Sequence, residues 1–170
     1  MHQPAEKISL RRQNTVFPLP FVPHRWVDNV PVLERALSLW EHLEKYREAT
    51  RNRKLPLPNS RSYETISAFM KDQLGLTKLH FCLNVAMIMQ PLLTFFQSDA
   101  PRTFLVAKDL ESVLRTLVTR FVKCSSITQA TSITKLLQND PKDPGNYTQL
   151  EKLDVGRAAV KILKKQQGEP

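Results

Sequence analysis

LHFCLNVAMIMQPLLTFFQS, running from Leu79 to Ser98, carries no formal charge over twenty residues. That is about the length needed to cross a bilayer, so its reading decides the fold. Seven of the twenty are His80, Asn84, Gln90, Pro91, Thr94, Gln97 and Ser98. Burying so many polar side chains in lipid is expensive, whereas helix neighbours can satisfy or solvate them. The stretch reads as the buried central helix of a soluble bundle, from about Thr77 to Gln97, bent at Pro91 where proline removes an internal hydrogen bond.

The segments on either side supply that core helix with partners. Downstream, Leu110, Val113, Leu114, Leu117, Val118 and Phe121 recur at helical spacing, with Arg115, Arg120 and Lys123 off the stripe. A Ser/Thr-rich loop (Ser125 to Thr134), a short helix around Lys135–Gln138 and the loop DPKDPGN (Asp140–Asn146) follow. A last amphipathic helix, about Val155 to Gln166, buries Ala159, Ile162 and Leu163 and exposes Arg157, Lys161, Lys164 and Lys165. Upstream, one helix runs from an Asp28 or Asn29 cap to about Thr50, with Leu33, Ala36, Leu37, Trp40 and Leu43 as its buried face. A short second helix is capped by Ser60 or Ser62, buries Ile66, Phe69 and Met70, and ends at Gly75. The expected fold is all-α: an irregular bundle of five or six helices over residues 24–166. A flexible, proline-rich arm occupies residues 1–23 and a disordered tail residues 167–170.

Charge narrows the partners. Lys and Arg number 25 against 16 Asp and Glu, a net +9, which favours polyanions: nucleic acid, acidic protein surfaces or anionic membranes. The excess gathers in three places: net +4 in Ala49–Arg61, and +3 each in Arg102–Lys123 and Lys152–Pro170. The first is a loop in which Arg51, Arg53, Lys54 and Arg61 surround LPLPNS (Leu55–Ser60). Each cluster also reads, more blandly, as solvated surface.

Catalytic chemistry has little to work with. Four glycines make neither a GxGxxG nor a GxxxxGK[ST] phosphate loop. Cys82 and Cys124 form no CxxC pair and read as buried, inert thiols in a reducing compartment. His80 and Cys82 are too close on one helix to make a metal site, and His42 reads as a surface residue. Asp109 and Glu111, two apart, point to different sides of their helix, so no carboxylates converge on a two-metal site. The expectation is a non-enzyme without cofactors. Arg25-Trp26 is the most unusual dipeptide: an exposed Trp beside Arg can stack on a base, and a Trp before a helix can equally staple the entering chain to it.

Several stretches, in order, resemble hAT-type transposase-like proteins. They are His24-Arg25-Trp26-Val27-Asp28-Asn29-Val30-Pro31 followed by Leu33-Glu34-Arg35-Ala36-Leu37 and Trp40; Pro91-Leu92-Leu93-Thr94 with Phe96-Gln97-Ser98-Asp99-Ala100-Pro101; Asp109 to Leu114 leading to Arg120-Phe121-Val122-Lys123; and Leu153-Asp154-Val155-Gly156. The resemblance covers about Val22 to Leu163, and none of its motifs is diagnostic alone. In that family a long helical insertion interrupts an RNase H-like catalytic domain, and its Trp, matched here by Trp26, is associated with a flipped base at the transposon end. The strands that carry the family's first two catalytic aspartates have no counterpart here, nor do the paired Cys and His of a BED-type finger. His24 stands where the family commonly has a small polar residue. The resemblance implies a truncated, transposon-derived fragment that cannot transpose or cut DNA.

The functional expectation is therefore a non-catalytic helical interaction module with weak, salt-dependent binding of DNA or RNA, through Arg25, Trp26, Arg51, Arg53, Lys54 and Arg61. The alternatives are a protein-binding scaffold with no nucleic-acid role, or a remnant without selected function. Neither a membrane nor a small-molecule substrate is implied, and the expected location is the nucleus or cytoplasm.

Overall fold

The computed structural model describes Leu19 and residues 29–97, 106–138, 140 and 142–168. The N-terminal arm, the Arg25-Trp26 dipeptide, the Asp28 cap and the 98–105 connection lie outside the described residues. The chain is all-α, as its periodicities require. Eight α-helices are found among the described residues, more than the five or six expected. They are α1 (Asn29–Ser38), α2 (Trp40–Arg51), α3 (Arg61–Lys71), α4 (Gly75–Phe96), α5 (Val106–Val118), α6 (Cys124–Gln129), α7 (Ile133–Leu137) and α8 (Arg157–Gln167). Among the described residues the only extended pairing is an isolated bridge between Val122 and Tyr147.

Two differences raise the count. The first helix breaks at Leu39, where the Ser38 hydroxyl donates to the Arg35 carbonyl at 2.8 Å, a back-bond that bends helices. Backbone bonds from Leu39 to Arg35 and from Leu43 to Leu39 carry the chain through, so the break is a kink. The Ser/Thr stretch, expected as a loop, contains α6. Its Ile127 joins Val122, Ala130 and Leu136 in a small core beside Val118, and that burial outweighs weak local propensity.

α4 is the central element, packed by α1, α3, α5 and α8. Glycine is needed at two of these joints. A Cβ on Gly75 would lie 2.8 Å from the Phe69 carbonyl oxygen and 3.4 Å from the Trp40 ring. Gly75 thus opens α4, correcting the expectation that it ends the helix before. Asp72 makes the turn: its carboxylate accepts the Leu74 N–H at 2.9 Å, its carbonyl accepts the Gly75 N–H, and Lys78 pairs with it. At the other joint Gly156 has φ +90°, and a Cβ there would meet Asn84 at 3.1 Å. Gln166 Nε2 donates to the Gln73 carbonyl at 2.6 Å, so α8 runs antiparallel along α4.

The core is thinner than the stripes imply. α4 is central, yet only 6% of the residues in its most apolar window are buried; Met87 is 52% exposed and Phe96 51%. Pro91 sits inside α4 on an exposed position and leaves the helix unbroken. Both thiols, expected to be buried, are exposed. In α3 only Met70 is buried while Ile66 and Phe69 are exposed; Ile66 and Met70 line hollows between α2 and α3. In α8 Ala159 is buried as expected, with Ile162 and Leu163 half-buried. The helix continues through Gln167 to Gly168 at φ +77°, so the first two residues of the expected tail belong to the helix and its cap.

Candidate nucleic-acid interface

The three basic segments part company once folded. In the middle one three of the cations are tied up within the molecule, while Lys108 stays exposed. Arg115 Nε donates to Glu111 at 2.8 Å, and its Nη2 donates to the Ala130 carbonyl at 2.9 Å. Lys123 Nζ donates to the Gly145 carbonyl at 2.6 Å. Arg120, expected off the buried stripe, is only 5% exposed. Its Nε donates to the Asp154 carbonyl at 2.9 Å and lies 3.3 Å from that residue's carboxylate, while the guanidinium carbon sits 5.9 Å from the Phe81 and Phe121 rings. Nη1 is buried without a hydrogen-bond partner. These three side chains fasten α5 and the turn after it to α7's approach, the Pro144–Asn146 turn and the lead into α8. They are not a phosphate surface.

The other two segments remain free for solvent. Arg51, Arg53, Lys54 and Arg61 are all exposed around the turn from α2 to α3. That turn is a Schellman motif: the Arg53 N–H bonds the Thr50 carbonyl at 3.1 Å and the Lys54 N–H the Ala49 carbonyl at 2.9 Å. Its left-handed position, normally glycine, is filled by Arg53 at φ +57°, at a backbone cost of roughly 1–2 kcal/mol. Ser60 caps α3 by accepting the Tyr63 N–H at 3.2 Å. Arg25 and Trp26 lie outside the described residues.

Arg157, Lys161 and Lys164, at i, i+4 and i+7, form one exposed ridge along α8 with Lys165 beside it. The buried side of the helix (Ala159, Ile162, Leu163) is diametrically opposite, against α4, and α8 itself contains no acid.

Between α2 and α3 lies a groove of about 820 Å³ whose basic residues are Arg47, Arg51 and Lys71, with Tyr63 and Met70 on its walls. Glu44 and Glu48 line it from the α2 side; the Glu44 carboxylate accepts the Trp40 indole N–H at 2.9 Å. Of the candidate binding residues named from sequence, only Arg51 lines this groove. Arg47, Lys71 and Tyr63 escaped notice because they lie on facing helices far apart in the chain. The one available signal was the Arg47–Arg51 spacing of four, which puts both on one side of α2. Among the described residues no three His, Cys, Asp or Glu side chains gather closely enough to hold a metal ion.

No protein-family model, no curated protein and no solved structure matches the chain.

Proposed function

We propose that the chain is a non-catalytic helical interaction module that holds nucleic acid weakly by its phosphates. The observation that carries this is the ridge on α8: four cations on one exposed helix without an opposing acid in that helix. The exposed Arg51–Arg61 turn adds a second basic patch, and the likeness to hAT-type insertion regions points the same way. Binding belongs in the non-specific range, ~10⁻⁴–10⁻⁶ M at physiological salt, in the nucleus or cytoplasm. The test is fluorescence anisotropy on a labelled duplex across a salt series. Four phosphate contacts imply an affinity loss of roughly 100-fold between about 50 and 200 mM salt. Changing Arg157, Lys161, Lys164 and Lys165 together to Gln is expected to flatten that slope. No binding at low salt removes the proposal.

A second reading, a protein-binding scaffold, is favoured by the exposed side of α4 at Met87, Pro91 and Thr94. A stoichiometric partner recovered equally with and without nuclease treatment is its signature. α4 is, by length and composition, apolar enough to cross a membrane. Its interruption by His80, Asn84, Gln90, Pro91 and Thr94 supports placing it in water instead.

A further inference from the structure

We propose that the groove between α2 and α3 is a stacking site for the bases of a single-stranded nucleic acid, with the α8 ridge as the adjoining phosphate track. This rests on the phosphate-binding reading above and adds to it both a site and a strand preference.

The groove offers aromatic rings beside cations, the pairing that single-strand sites use. Tyr46 and Tyr63 meet edge to face, 6.2 Å between centroids at 83°. A hollow of about 260 Å³ that includes Tyr46 shares Arg47, Tyr63, Ser67 and Met70 with the main groove, so the two adjoin. Tyr46 is 41% exposed. Because each ring is braced by the other, little side-chain freedom is left to lose on binding.

The charges separate bases from backbone. Along the groove Arg47 and Arg51 stand beside Glu44 and Glu48 on α2, with Lys71 on α3, so the lining is close to neutral overall. Around the turn that joins α2 to α3, Arg53, Lys54 and Arg61 are exposed, with no acid between Ala49 and Arg61. A strand with its bases turned in and its phosphates out matches that distribution. A duplex, whose base faces are already stacked on each other, can use the turn and the ridge but not the groove. The two sites are also neighbours. Lys71 lines the groove, and two residues on the Gln73 carbonyl takes the Gln166 amide, next to Lys165 at the end of the ridge.

The test compares labelled oligothymidylate of about twelve nucleotides, an abasic strand of equal length and a duplex, at low salt. The single strand is expected to bind more tightly than either of the others. Tyr46→Ala is expected to weaken single-strand binding by roughly 5- to 150-fold, the equivalent of the ~1–3 kcal/mol that a stacked base contributes, and to leave abasic and duplex binding unchanged. Tyr63→Phe keeps the ring and is expected to retain single-strand affinity. The fourfold α8 variant weakens all three ligands. Melting curves establish that Tyr46→Ala is folded; if it is not, the comparison of oligothymidylate with the abasic strand on the unaltered chain decides. Equal affinity for those two strands, or a folded Tyr46→Ala chain with intact single-strand affinity, overturns the stacking site. If duplex binding then persists and falls in the α8 variant, the phosphate reading stands without it. No binding of any of the three overturns both.

Discussion

Removing the Asp154 carboxylate is expected to destabilise the chain more than removing the buried cation it faces. Arg120 is 5% exposed, one of its nitrogens is buried without a partner, and the Asp154 side chain is 63% exposed. In Arg120→Met the bond to the Asp154 carbonyl is lost, at ~1.5–3 kcal/mol for a charged donor. The cation–π attraction to the Phe81 and Phe121 rings goes too, at about 0.5–1 kcal/mol per ring. Against this, a guanidinium no longer has to be taken out of water, a penalty of several kcal/mol, and methionine fills most of the volume. The freed carbonyl belongs to a largely exposed residue and can be hydrated. The net cost is small, about 1–2 kcal/mol, since the gains and losses nearly cancel. Asp154→Ala leaves the guanidinium buried and loses its counter-charge, together with the carboxylate's 2.8 Å bond from the Gly156 N–H that sets up α8. Stranding a buried charge costs ~3–5 kcal/mol, and solvent around Asp154 places this case at about 3. Urea denaturation followed by helix circular dichroism measures both. The double variant is expected to be more stable than Asp154→Ala alone, because the stranded charge is then gone. If Asp154→Ala proves no more destabilising than Arg120→Met, or the double variant is the least stable of the three, Arg120 is not the buried, charge-dependent fastener described above.

Three further outcomes follow from the packing. Leu136, 2% exposed in the small core, is expected to cost ~2–5 kcal/mol when truncated to Ala, whereas half-buried Leu114 falls at or below the bottom of that range; paired melts or denaturation curves rank them. Arg53→Gly relieves a left-handed arginine and is expected to raise stability by ~1 kcal/mol while weakening phosphate binding, so a change of the same sign in both measurements contradicts the turn geometry. The hydrogen bonds from Lys78 and from the Leu74 N–H hold the Asp72 carboxyl below the usual carboxylate range, so its contribution is present above that range and is lost as pH falls through it. Asp72→Asn is expected to flatten the acid side of the stability–pH curve, and an unchanged acid limb in that variant counts against the Asp72 turn.

Helical periodicity is a local property, and the chain declares it plainly: the stripe from Leu110 to Val118, a serine cap at Ser60 or Ser62 and the amphipathic face of α8 could all be read residue by residue. The exposed basic turn Arg51–Arg61 was legible for the same reason, since proline, serine and charge there leave few alternatives. Depth of burial was not legible. A stripe shows which side of a helix is apolar, but how far that side is covered depends on neighbours distant in sequence, so Ile66, Phe69, Cys82 and Met87 came out more exposed than expected. Charge behaved likewise. Arg157 and Arg120 look alike in the sequence, each a cation beside an apolar stripe. Only the return of the chain at Asp154 turns one inward against a carbonyl and two rings while the other stays in water. The α2–α3 groove is the extreme case. Arg47 on α2 and Lys71 on α3 line one groove only because the chain folds back on itself, with Trp40 and Phe69 edge to face and Gly75 close to both.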